Sequence, residues 1–266
     1  MAGSRFGIAL TLCSALFVSA RAAPQQSAAD SSALQQDSSS LQQELERLGT
    51  AADALEHSLP SFTCREAGVS EWLLNGKVKE HATLTATLRA RRVGDGSLAE
   101  SDEPLTLNGR PFSGSYFIVP FYVTGGFDRA MRYFVPSRQA CYRYSLSPGR
   151  IEFETAPDVA QHAQCIDEGM RGFALLDADG NVSHLERTVS AKAARNFGLA
   201  PFASIDFTAV DLNGRTFRLS RHMLSELTQG RSTARFDVTY TDCRLYTATV
   251  TILPATGGGA EIQQPR

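Results

Sequence analysis

The chain has 266 residues, with 26 lysines and arginines against 28 aspartates and glutamates, a formal net charge of −2. That balance excludes the strongly basic surface that nucleic acid or an anionic membrane would require of a partner. Hydrophobic residues make up 42% of the chain, enough for a core, yet past the N-terminus no stretch is long and apolar enough to cross a bilayer.

The first residues read as an export signal. Arg5 precedes an apolar run from Phe6 to Val18, and Ala20-Arg21-Ala22 offers small residues where a signal peptidase reads. Residues 1–22 are therefore expected to be removed, taking Cys13 with them. Leu12 is too bulky before Cys13 for a lipid-attachment site. Cys64, Cys141, Cys165 and Cys243 remain. In an oxidising compartment, periplasmic or extracellular, four cysteines imply two disulfides with three connectivities open. The preferred pairing is Cys141–Cys165, closing a local excursion, and Cys64–Cys243, tying the ends of the domain. No two cysteines stand at C-x-x-C spacing, and His162 before Cys165 is a weak metal pair, so no metal or other cofactor is expected.

Residues 23–39 are rich in Gln, Ser, Ala and Asp and read as a disordered leader. Leu41, Leu45, Leu48, Ala52, Leu55 and Leu59 then recur at helical steps with Gln42, Gln43, Glu46, Asp53 and Glu56 between them. Ser40 and Gln43 form a capping box, and Pro60 forbids continuation. Gly49 and the short heptad run favour a helix packed on a sheet over a coiled coil.

After Pro60 the pattern turns to strand. Asn75-Gly76 joins Ser61–Leu74 to Lys77–Arg91 as a hairpin, and residues 82–88 alternate polar with apolar. Arg89, Arg91 and Arg92 read as a solvated strand end. Further turns lie at Ser147-Pro148-Gly149, between Arg171–Leu176 and Val182–Val189, and at Asn213-Gly214 between Ser204–Leu212 and Arg215–Glu226. Arg235–Tyr240 and Leu245–Leu253 complete about eleven strands, and residues 254–266 form a frayed tail. Two segments interrupt the series. Residues 116–123 contain Pro120, which cannot serve a central ladder, so they form a short helix or a kinked apolar flap. Residues 156–169 form a polar excursion.

The fold class is mainly β (α+β). One N-terminal amphipathic helix packs on a curved antiparallel meander that forms an unclosed barrel over residues 40–253. This order of elements resembles a group of secreted bacterial proteins. The resemblance lies in the helix ending Leu59-Pro60-Ser61-Phe62-Thr63-Cys64 and in the phrases Leu107–Pro111, Phe173–Asp177, Val182–Glu186, Ile205–Phe207 and Asn213–Leu219. The layout is in turn similar to that of the periplasmic lipoprotein carriers (LolA/LolB-like), whose unclosed barrel folds round a helix and holds acyl chains. The resemblance transfers no functional residues to this chain.

Tests for chemistry fail on their own terms. Asp177, Asp179 and Asn181 have calcium-loop spacing, but Gly180 comes too early and Thr188 stands where an acid is needed. His57, His81, His162, His184 and His222 are scattered in sequence, and Asp102-Glu103 reads as a polar loop. No nucleophile elbow or phosphate loop is present. The expected role is therefore a non-enzymatic binding or carrier protein for a lipid-like or other apolar ligand. Tyr116, Phe117, Phe121 and Tyr122 would line or cover the mouth of its cavity, unless, as is commoner for aromatic clusters bounded by glycines, they fill ordinary core. A non-catalytic envelope scaffold that docks an envelope protein is the alternative.

Overall fold

The computed structural model describes residues 27–94, 96–115, 118–123, 126–161, 165, 169–190, 192, 194 and 200–246, with side chains from Ser39 onward. The expected signal peptide and the tail lie outside these residues. The chain divides into two compact units, Met1–Ser39 and Ser40–Arg266.

Helix α1 runs from Ser27 to Asp53. It starts well before the expected capping box at Ser40, so residues 27–39 are helical where a disordered leader was expected. Ala28, Ala29, Leu34, Gln35 and Gln36 are good helix formers, and extending a helix avoids the cost of a new nucleus. Its other end falls where expected. A wider turn covers Ala54–Ser58, and Leu59 leaves the helix at ψ 118°, as a residue before proline must. Arg92 caps that end. Its guanidinium donates to the carbonyls of Leu55 (3.0 Å) and Leu59 (2.8 Å), satisfying groups that a helix C-terminus leaves open.

Eleven strands follow: β1 Phe62–Leu74, β2 Lys77–Arg92, β3 Leu98–Leu107, β4 Arg110–Pro111, β5 Tyr142–Ser147, β6 Arg150–Thr155, β7 Arg171–Leu176, β8 Val182–Thr188, β9 Phe202–Leu212, β10 Arg215–Gln229 and β11 Ser232–Leu245. They form one antiparallel sheet in the order β4-β3-β2-β1-β11-β10-β9-β8-β7-β6-β5. The first and last long strands are neighbours, paired from Phe62↔Leu245 to Leu74↔Ser232 with one register shift between Thr63 and Arg65. The free edges are therefore β4 and β5, and residues 112–141 lead from one to the other.

The hairpin turns are built from the residues their geometry demands. Asn75-Gly76, Asn108-Gly109 and Asn213-Gly214 all hold positive φ at both positions, the conformation that matches the twist of two-residue hairpins. β11 extends the expected Arg235–Tyr240 strand to Leu245; of the strand expected at Leu245–Leu253, the residues beyond 246 lie outside the described region. Asp102-Glu103 sits inside β3 rather than in a loop. Its polarity hid a strand whose outer face meets solvent.

Alternation divides the sheet into two faces. On β2, Ala82, Leu84, Ala86, Leu88 and Ala90 are buried while the residues between them point outward. The inner faces of the strands share one core with Leu45, Leu48, Ala52, Leu55 and Leu59 of the helical segment, so the expected leucine stripe meets the sheet. Residues 127–135 complete this core. Phe127, Met131 and Phe134 are fully buried, and Phe127 packs edge-on against Phe62 and Tyr240.

Both expected disulfides form. Cys64–Cys243 ties β1 to β11, and Cys141–Cys165 closes the excursion after β6. Gly49 has a physical role. A Cβ there would lie 3.2 Å from the Phe134 carbonyl oxygen and 2.9 Å from Gln139 Nε2. Gln139 donates to the carbonyls of Leu45 and Phe134, so the helix and the incoming chain meet through Gly49.

Candidate functional site: a strap over buried carboxyls

Pro120 denies the 118–123 segment a place in a ladder, and it lies as an irregular strap on the inner side of the sheet. The hydroxyl of Ser70, inward on β1, donates to the Phe121 carbonyl (2.7 Å) and accepts from the Phe121 amide (2.8 Å). Glu100, on β3, accepts from the amides of Gly126 (2.7 Å) and Phe127 (2.8 Å). Between these anchors Tyr122 reaches inward. Its hydroxyl donates to Asp102 Oδ2 at 2.5 Å and stands 3.4 Å from Glu66 Oε1, while its ring meets Phe236 edge-on at 5.0 Å. Ile118 at the start of the strap is 68% exposed. The strap is held by polar hooks on both sides of one aromatic plug.

Those hooks belong to a cluster. Tyr240 on β11 lies directly across from Glu66 on β1, and Glu66 across from Ala86 on β2. On β3, Asp102 and Glu100 pair with Leu88 and Ala90. The alanines of β2 leave space between the acids of its two neighbours, and Tyr122 fills it. Burial, then the charge and hydrogen bond of Asp102, push the Glu66 carboxyl up to about 9, so it is protonated at neutral pH. Asp102 Oδ1 makes no hydrogen bond among the described residues, although the Asp102 carboxyl stands close enough to Glu66 to raise it. Burial raises Glu100 to about 7, against the lowering by its two amide donors. Burial and then the nearby carboxyls also raise Tyr122 and Tyr240, so both hydroxyls stay protonated.

Phe121 and Tyr122 thus stand on the inner side of the sheet, partly buried and packed against the core. Tyr116 and Phe117 lie outside the described residues. Sequence reasoning missed Glu66, Glu100, Asp102 and Tyr240. The available signal was parity: Glu66 falls between Cys64 and Gly68, on the inward beat of β1.

The opposite face gathers what looked scattered. His184 Nδ1 lies 2.7 Å from Asp206, and His222 lies 3.2 Å from Asp206 and 2.8 Å from Asp237. Burial raises the Asp206 carboxyl, but hydrogen bonds and charge from the two histidines outweigh it and hold the group below the usual range. Farther along this face, β5 to β8 frame a hollow of ≈ 600 Å³ lined by Arg143, Glu152, Glu154, Arg171, Phe173 and Glu186. Arg143–Glu154 and Arg150–Glu152 ion pairs line it beside Tyr144, Phe153 and Phe173. Among the described residues, no group of three or more His, Cys, Asp or Glu has metal-binding geometry.

The class defined by this geometry is a single open antiparallel sheet packed on a helical segment, with a polar-hooked strap on its inner face. No family model and no curated protein matches the chain. Among solved structures, it is similar to a DUF1329 family protein from Desulfovibrio piger, at 10% identity and TM-score 0.39 over 79% of this chain and 94% of that one. It is also similar to a LolA superfamily protein from Nitrosomonas europaea, at 9% identity and TM-score 0.33 over 77% and 94%. A third is a putative outer membrane lipoprotein-sorting protein domain from Vibrio parahaemolyticus, at 12% identity and TM-score 0.37 over 77% and 93%. These superpositions are loose, and the architecture stands on the chain's own strand order and register.

Proposed function

We propose that the chain is an exported, non-enzymatic binding protein that receives an apolar, lipid-like ligand on the inner face of its sheet once the strap lifts. The observation that carries this reading is how the strap is held. The strap packs Val119, Phe121, Tyr122 and Val123 against the core, yet its fixed points are hydrogen bonds to Ser70 and Asp102, with Glu100 holding Gly126 and Phe127 just beyond it, and a modest rearrangement can exchange these bonds. Releasing it would uncover Phe236, against which the Tyr122 ring packs edge-on, an apolar surface suited to an acyl chain. Phe121 and Tyr122 would then close over the ligand, with Tyr116 and Phe117 as the proposed continuation of the mouth. Two disulfides support export to an oxidising compartment.

The test is native mass spectrometry and solvent extraction of mature protein purified from an envelope fraction. A lipid-like species released from the protein is expected; protein that stays empty after incubation with total envelope lipid would refute the reading.

A further inference from the structure

The cluster under the strap has a chemical imbalance that an apolar ligand alone would not resolve. Three carboxyls face the inner side of the sheet, yet none of Glu66, Glu100 and Asp102 has a lysine, arginine or histidine within ion-pair distance among the described residues. The ion pairs of Arg89, Arg143, Arg150 and Arg235 lie on other acids. A buried acid without a cation must keep its proton or find a positive partner.

A second observation points to a ligand at the same place. The Tyr240 hydroxyl, on a side chain only 2% exposed, makes no hydrogen bond. It stands beside Glu66, across the strand pair, and within electrostatic reach of Glu100 and Asp102. Buried hydroxyls are nearly always partnered, so this one marks a polar position left open beside the acids.

The Tyr122 side chain shows what shape of molecule the niche accepts. It places an aromatic body against Phe236 and a hydrogen-bond donor on Asp102, close to Glu66. The strap carries, in effect, an internal stand-in for a ligand with an apolar body and a donor head. A head that donates several hydrogen bonds and also brings positive charge would satisfy Asp102, Glu66 and Tyr240 together, where the single phenolic hydrogen satisfies one.

Resting on the apolar-ligand reading above, we infer that the niche formed by Glu66, Asp102 and Tyr240 is a binding site for the primary ammonium head of an amphiphile, which replaces the Tyr122 hydroxyl when the strap lifts. Binding of the ammonium releases the proton that Glu66 holds. The tail runs beside Phe236, where the Tyr122 ring now packs. The strap thereby acts as a competitive plug and sets a threshold for ligand entry.

The experiment compares octylamine, 1-octanol and octanoate by isothermal titration at pH 7.5, using the full mature chain and its Tyr122→Ala, Asp102→Asn and Tyr240→Phe variants. Octylamine should bind about tenfold or more tightly than either other probe, the scale of one charge-assisted hydrogen-bond set. Tyr122→Ala should tighten amine binding by removing the plug. Asp102→Asn should erase the preference. Should that variant fold poorly by circular dichroism, Tyr240→Phe, which removes an unbonded hydroxyl, should still weaken amine binding severalfold. Equal binding of all three probes would overturn the head-group site and leave the apolar reading standing. Failure of every probe, even with Tyr122→Ala, would overturn both.

Discussion

Glu66 offers the sharpest quantitative prediction. Its carboxyl has an ordinary value of 4.5 and is raised to about 9 in the folded chain by burial and by Asp102. The folded state therefore keeps a proton that the unfolded state loses. For an acid raised in this way, the stabilisation is complete below pH 4.5 and is lost as pH rises toward the folded value. Across that window each pH unit costs about 1.4 kcal/mol of stability. Glu66→Gln mimics the protonated acid, keeps a donor toward Asp102, and does not titrate. Between pH 5 and pH 8 the variant should gain about 4 kcal/mol relative to wild type, from the slope alone. Glu100, raised to about 7, acts in the same direction in both proteins, so it cancels in the difference. Urea unfolding followed by tryptophan fluorescence at several pH values measures that difference directly. Parallel stability curves for the two proteins across this range would refute a protonated Glu66 and the buried cluster built on it.

Phe121→Ala separates strap from core. A strap residue should cost less than about 1 kcal/mol of stability while probe affinity falls; a loss of 3–5 kcal/mol with unchanged affinity would make Phe121 plain core. Gly172→Ala should be severe, about 2 kcal/mol or more by thermal melting. A Cβ there would lie 2.3 Å from the Glu186 carbonyl oxygen and 2.7 Å from the Phe153 ring. A neutral result would show that β7 and β8 are spaced otherwise. Joint replacement of Cys64 and Cys243 by serine should cost about 2–5 kcal/mol in denaturant unfolding, because that bridge closes a loop with a sequence separation of 179.

Much of the fold was readable because its signals are local. Asn-Gly turns force hairpins, alternation over residues 82–88 fixes which face is buried, and Pro60 ends the helical segment whatever surrounds it. The helix's early start was not readable, because Ser- and Gln-rich sequence supports either coil or an extension of an existing helix. Pro120 left the strap as a short helix or a kinked flap, yet its hooks could not be foreseen. Ser70, Glu100 and Asp102 are ordinary polar residues until strand register turns them inward. The same holds for His184, His222 and Asp206, far apart in the chain and joined only by pairing of β8, β9 and β10. Pairwise spacing carries local chemistry; a site assembled across a sheet needs the register.

For the inner face to accept a ligand, the strap must move. Ser70 and Phe121 already share two hydrogen bonds, so cysteines at both positions would allow it to be locked and released. Octylamine binding, followed by isothermal titration, should occur in the Ser70→Cys/Phe121→Cys protein with that pair reduced and stop when it is oxidised. Equal binding by the two forms would show that the strap need not move.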